Sequence, residues 1–177
     1  MILTGPEIER EVNAGRITID PFDPARIEPN SYGFHLAQHL ICYENDVVDA
    51  REKPTEYRLT IPPAGYCLEP GHFYLGSTLE TIGSNFYAAT LYARRSTSTM
   101  GMWIQFSAPL GHTGAIIPWT LEITVTHPVI VYAHMLIGKI AFWTPQGATT
   151  IYQGKYTDSK DVVPSRFFEE GEKISCF

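Results

Sequence analysis

The sequence predicts an all-β chain with one short N-terminal helix. Short apolar runs rich in β-branched and aromatic residues recur from Ser31 onward. Pro and Gly separate these runs, and helical periodicity is confined to the first fifteen residues. Many short strands with turn signals between them describe a sandwich, jelly roll or barrel.

The helix comes first. Thr4 stands at the cap position, Pro6 suits the first turn, and Glu7, Glu9 and Glu11 sit at the positive end of the dipole. Ile8 and Val12 share one face, and Gly15 stops the helix. Pro21, Pro24 and Pro29 then punctuate an irregular stretch. Strands are expected at 61–68, 73–79, 85–91, 102–107, 120–126 and 136–142. Within one of them Leu121, Ile123 and Val125 alternate with Glu122, Thr124 and Thr126, the period of a half-buried strand. Residues 144–177 carry Gly147, Gly154 and Pro164 with little periodicity. They read as an extended arm that needs something to lie against, such as another subunit.

With 177 residues the expectation is one domain over 1–177, comprising the helix of 1–15, the strands and the arm. Apolar residues at 44% supply a sizeable core. A net charge of -6 argues against a broad nucleic-acid or membrane-surface footprint, while leaving room for a local anion pocket. The three cysteines, Cys42, Cys67 and Cys176, have no metal-like spacing and are expected to be incidental thiols in a reducing compartment. No apolar run is long enough to span a membrane, and the first residues lack signal-peptide character, so a cytoplasmic location is expected.

Four groups of residues could carry chemistry. Arg94 and Arg95 precede the hydroxyls of Ser96, Thr97, Ser98 and Thr99, a composition that suits either an oxyanion cradle or a polar turn. Glu122 is the lone acid between Asn85 and Gln153. Among apolar neighbours it suits proton transfer; on a wet strand face it would be unremarkable. The six histidines form no zinc-protease or zinc-deaminase pattern, and His112, just before the Glu122 strand, is the one of interest. In the arm, Tyr152, Lys155, Tyr156, Ser159 and Lys160 could close over an anionic, ring-bearing ligand or simply be solvated.

Read in order, the motifs resemble the dCTP deaminase branch of the dUTPase superfamily along nearly the whole chain. Met1-Ile2-Leu3 with Gly15 to Phe22 looks like the family's N-terminal helix and strand. Pro29 to Leu36 looks like P-x-S-Y-D-x-x-L, with Gly33 at the usual Asp. Phe73 to Glu80 matches F-x-L-x-x-T-L-E, and Thr120-Leu121-Glu122 matches the T-L-E of the catalytic glutamate. Met135 to Gly138 matches M-x-I-G, and Lys155-Tyr156 with Pro164-Ser165-Arg166 matches K-Y…P-S-R.

The resemblance implies a dUTPase-like distorted jelly-roll β-barrel, assembled as a homotrimer with sites between subunits. It implies zinc-free deamination of a cytosine nucleotide to the uracil nucleotide and ammonia. Glu122 would shuttle protons for a water attacking C4, with that water held by the Ala108 carbonyl and by Ser96. Arg94, Arg95, Ser96, Thr97 and Thr99 would meet phosphates. His112, Thr120, Tyr152, Lys155, Tyr156 and Ser159 would surround the rest of the nucleotide. Mg2+ would bridge the phosphates without joining the chemistry.

Departures cluster at the ligand. The family's phosphate motif is G-R-S-S-x-x-R-x-G; anchoring on Gly101 sets Arg94 on its first Arg and Thr99 on its second. Anchoring on Arg95-Ser96-Thr97 requires a deletion, and the second Arg is missing either way. On a strand, Arg95 would face away from Arg94. His112 replaces an Asp near the sugar, Gly114-Ala115-Ile116-Ile117 replaces G-W/F-x-G, and Ser159 replaces a tail Gln. These changes raise the expectation of an altered sugar, phosphate or base preference. Two other readings stand beside the deaminase. A dUTPase-like diphosphatase is weakened by His112, where that chemistry uses a carboxylate, and by a missing Gly-rich tail motif. A non-catalytic nucleotide-binding homologue is supported by the lost Arg and opposed by Glu122.

Overall fold

The computed structural model describes residues 1–45 and 47–173; Cys176 lies outside them. Helix α1 (Gly5–Asn13) opens the chain, with Pro6 in its first turn and Gly15 beyond its end at φ +70°. Thr4 occupies the cap position in extended conformation, but its side chain makes no capping hydrogen bond. Ile8 is fully buried. Glu11 does not serve the dipole as expected. It turns inward, 1% exposed, and meets Arg16 at 2.5 Å and the Tyr87 hydroxyl at 2.7 Å.

The strands follow in chain order: β1 (Thr18–Asp20), β2 (Ile27–Glu28), β3 (Ser31–His35), β4 (His39–Tyr43), β5 (Glu56–Thr60) and β6 (Tyr66–Leu68). Next come β7 (Tyr74–Gly83), β8 (Ala88–Ala93), helix α2 (Arg95–Thr99), β9 (Met102–Trp103) and β10 (Leu110–Gly111). The last are β11 (Ile117–Val125), β12 (Val129–Val131) and β13 (Leu136–Trp143). One sheet runs β5-β4-β7-β11-β9, with β1 added on β7. A second runs β10-β8-β13-β3-β2, and β12 pairs with β6 apart from both. The described pairings are antiparallel, as many short strands joined by tight turns require.

The strands expected at 73–79, 85–91, 120–126 and 136–142 are present with shifted ends, whereas the run expected at 61–68 is strand only over Tyr66–Leu68, after a turn. The strand expected at 102–107 leaves the ladder after Trp103, where the chain bends at Ile104 and again at Phe106 and Ser107. The polar stretch after Arg94 is helix α2, not strand, so strand alternation says nothing about where Arg95 points. Short 3-10 turns at Pro24–Arg26 and Phe167–Lys173 were likewise not expected from the periodicity.

β11 positions the site. Leu121, Ile123 and Val125 enter the main core, with Phe34, Leu36 and Leu40 among their companions. Glu122 and Thr124 point the other way and are half-buried. On that outer face, Ile41, Leu75 and Glu122 stand in one row, because Ile41 pairs with Leu75 and Leu75 with Glu122.

The arm, over its described residues, lies against its own chain. It folds back across the outer face of its own sheet. Val162, 1% exposed, packs on Ile41 and Leu75. Asp161 meets His39 Nδ1 at 3.0 Å and an Arg58 guanidinium nitrogen at 3.6 Å, and accepts from Ser77 Oγ at 3.4 Å. The Ser165 N–H donates to Tyr43 Oη at 2.9 Å. A buried valine beneath ionic and hydrogen-bonded contacts explains how an aperiodic segment holds a defined path.

Candidate active site

Between β11, the loop after β9, the loop before β11 and the folded-back arm lies a cavity of about 450 Å³. That is room for a nucleotide-sized ligand. Its walls are mostly apolar and aromatic, including Tyr43, Phe73, Leu75 and Trp119. Glu122 is the one carboxylate among its lining residues, and His112 the one imidazole.

Glu122 is held by backbone. Its Oε2 accepts from the Phe106 N–H at 2.9 Å and the Ser107 N–H at 3.4 Å. Its own N–H donates to the Ile104 carbonyl at 3.0 Å, tying the loop to the strand. Both side-chain bonds fall on one oxygen, and Oε1 keeps its capacity to accept a proton.

The wall opposite is set by a bulge. The β11–β7 register shifts between Pro118 and Thr120, and the Trp119 N–H donates to Thr78 Oγ1 at 2.8 Å. The indole Nε1 donates to the Ile82 carbonyl at 2.8 Å. Gly111 is required beside it, since a Cβ there would overlap the indole ring. Gly114, at φ +95°, lets the arm come against the loop, where the Tyr152 N–H donates to the Thr113 carbonyl at 2.8 Å. Tyr152 then stacks on His112, ring centroids 5.5 Å apart and planes 20° from parallel.

Seven of the residues singled out in the sequence line this cavity: Ala108, His112, Thr120, Glu122, Tyr152, Tyr156 and Ser159. Thr120 Oγ1 accepts from the Val163 N–H at 3.4 Å, and Tyr156 Oη from the Arg166 N–H at 3.1 Å. Ser159 Oγ donates to the Tyr156 carbonyl at 2.8 Å, so it serves the turn of the arm.

Lys155 is not among the lining residues. Its ammonium donates to the Arg166 carbonyl at 3.0 Å and pairs with Glu170, which pushes its pKa upward. The anion motif also lies elsewhere on this chain. Arg94 Nε is 3.7 Å from Glu28 Oε1, while Arg95 and Ser96 are exposed on α2. Thr97 is buried and its hydroxyl donates to the Ile137 carbonyl at 2.7 Å. The Thr99 hydroxyl is spent on the Arg95 carbonyl at 2.9 Å. Within one chain, therefore, the two arginines and Ser96 do not join Glu122 around the cavity.

Sequence reasoning missed Tyr43, Phe73, Leu75 and Trp119 as walls. Only the F-x-L spacing of Phe73 and Leu75 signalled any of them, because strand partners many residues apart bring the others together. Among the described residues no three His, Cys, Asp or Glu side chains converge as metal ligands. No described helix is long and apolar enough to cross a membrane.

Comparison with known proteins gives the site a family context. The family described as dCTP deaminase-like matches residues 2–144. A Clostridium beijerinckii protein named "dCTP deaminase, dUMP-forming" is 37% identical over 174 residues, covering 98% of this chain and all of that protein. A Cytophaga hutchinsonii protein of the same name is equally similar over the same length. A Rhodopirellula baltica "dCTP deaminase" is 37% identical over 171 residues, 96% of this chain and 86% of that one. Among solved structures, the 2'-deoxycytidine 5'-triphosphate deaminase of Agrobacterium tumefaciens superposes with a TM-score of 0.65 at 16% identity. The match covers 81% of this chain and 48% of that one, so the likeness spans about half the solved chain and speaks for the fold.

Proposed function

The chain belongs to the dCTP deaminase-like family, and from that membership we propose that it hydrolyses dCTP, releasing ammonia and carrying the nucleotide on to dUMP. The observation that carries the reading is Glu122, the one carboxylate lining the cavity, fixed through one oxygen by two backbone N–H groups. Its free oxygen takes a proton from the water that attacks C4 of cytosine, and returns protons to the amino group so that ammonia leaves. The flat aromatic walls suit a pyrimidine and its sugar.

The anion end is completed by a second copy of the chain. Arg94, Arg95 and Ser96 are not among the residues that line the cavity of their own chain, so in this reading their role falls to a neighbour's site. A homotrimer of dUTPase-like distorted jelly-roll barrels meets that requirement, and Ser96 then helps the Ala108 carbonyl hold the water. The deamination is zinc-free in this reading. Mg2+ would enter with the nucleotide, since the single carboxylate lining the cavity is the one that serves the base.

The names of the relatives favour dCTP over the ribonucleotide, the shorter phosphates or a modified cytosine. Retention of Glu122 disfavours a non-catalytic homologue. The test is direct: the protein is incubated with dCTP and Mg2+, and ammonia, dUTP, dUMP and pyrophosphate are quantified. Stoichiometric ammonia supports the reading, and nucleotide binding without ammonia sinks it.

A further inference from the structure

Asp161 lies in the arm between two stretches that wall the cavity, Tyr156 and Ser159 before it and Val163, Pro164 and Ser165 after it. Three strands of the sheet beneath each send one polar side chain to it. Its Oδ2 meets His39 Nδ1 of β4 at 3.0 Å and Arg58 Nη1 of β5 at 3.6 Å. Its Oδ1 accepts from Ser77 Oγ of β7 at 3.4 Å and from the Val162 N–H at 2.7 Å. Arg58 Nη2 adds a bond to the Val162 carbonyl at 3.2 Å. Ser77 is fully buried and stands opposite Thr120, two positions along β7 from the Leu75 that faces Glu122. The Asp161 carboxylate is therefore seated on the Glu122 face of the sheet, one same-face row away.

The charges around this carboxylate are unevenly engaged. The Arg58 guanidinium is shared, with its Nε 4.0 Å from Glu56 Oε1. His39 is the nearer partner, and of the residue types gathered here only histidine ordinarily changes charge between pH 5 and 8. A carboxylate or a guanidinium ordinarily keeps its charge across that range, and the Ser77 hydroxyl and the Thr60 opposite His39 are neutral throughout. A neutral imidazole offers Asp161 at most one hydrogen bond. A protonated one makes that bond charge-assisted, and roughly twice as strong.

We propose that Asp161 is the positioning residue that seats the arm over the active site, with a hold that tightens when His39 is protonated. It touches no reacting atom. Placed midway between Ser159 and Val163, it sets both sides of the wall at once. It governs how often the cavity is fully walled, and leaves the chemical step to Glu122. For what the site does this rests on the deaminase reading above; the holding of the arm stands on the contacts alone. As pH falls from 8 toward 5, the docked fraction rises.

The test is amide hydrogen exchange over residues 156–166, expressed as protection relative to the unfolded chain and followed from pH 5 to 8 without nucleotide. Wild type is compared with His39→Gln and Asp161→Asn. Gln keeps a donor and Asn an acceptor, but neither carries the charge. Exposed ion pairs of this kind shift an equilibrium by roughly two- to fivefold. Wild-type protection of the arm should rise by that factor toward low pH, and neither variant should show the rise. With dCTP, Asp161→Asn should raise KM by at least that factor and leave kcat for ammonia release unchanged. An equal rise in His39→Gln overturns the proposal, as does wild-type protection in Asp161→Asn or a kcat that falls as far as KM rises. His39→Gln decides by itself if Asp161→Asn does not fold. Absence of ammonia from wild type sinks the deaminase reading instead, and the exchange measurements still judge the hold of the arm.

Discussion

Leu75 and Glu122 stand opposite one another in the ladder of β7 and β11, on the side of the sheet away from the main core. One is covered by Val162 of the arm and the other lines the cavity beside it. The covered leucine is what brings the arm to the carboxylate.

Glu122→Gln keeps the size of the side chain and removes its ability to accept a proton. Turnover of dCTP should fall ~10²–10⁴-fold while nucleotide binding persists, measured by ammonia release and by calorimetric titration. A Gln variant within about tenfold of wild type would remove Glu122 from the proton path, since loss of a base costs more than that.

Val162→Ala thins the contact that pins the arm. Loss of buried methyl groups, roughly 0.8 kcal/mol each before any cavity cost, should weaken arm docking by about 1–3 kcal/mol. Hydrogen exchange of amides in the arm should quicken by one to two orders of magnitude or less, and the KM for nucleotide should rise. Unchanged exchange would mean that Asp161 and its partners hold the arm unaided.

Glu11 sets an acid limit on stability. The Arg16 guanidinium, aided by the Tyr87 hydroxyl and opposed by burial, holds its carboxyl at about 2 against an ordinary 4.5. The native state keeps this group ionised where the unfolded chain would protonate it. Its contribution is therefore full above pH 4.5 and is lost as pH falls toward 2. The melting temperature of wild type should exceed that of Glu11→Gln at neutral pH, and the gap should close across that acid window. A gap independent of pH would assign the difference to packing.

Metal removal should separate two roles. A zinc-selective chelator should leave ammonia release intact, and depletion of Mg2+ should raise the KM for dCTP. Zinc bound in stoichiometric amount, and lost together with activity, would overturn the zinc-free mechanism.

Competition among dCTP, CTP, dCMP and CMP should place dCTP first. The Thr99 hydroxyl is consumed inside α2 and offers phosphate no charge-assisted bond, worth roughly 1.5–3 kcal/mol when present. First place for CTP or dCMP would show that this loss, with His112, has moved the specificity.

The sequence by itself determined the all-β class, the N-terminal helix and the face of β11. Alternation of Leu121, Ile123 and Val125 put Glu122 on the opposite side, because successive strand residues must diverge. The motif spacings also carried the family. Whether the Glu122 face was wet or enclosed was not legible there, since it depends on Val162 forty residues later finding Ile41 and Leu75. Nor could local pattern show that Trp119 sits at a bulge, that Arg94 pairs with Glu28, or that Tyr152 stacks on His112. Those relationships join residues distant in the chain, and only tertiary packing decides which distant groups meet. Periodicity reports the side on which a residue points; the fold decides what stands there.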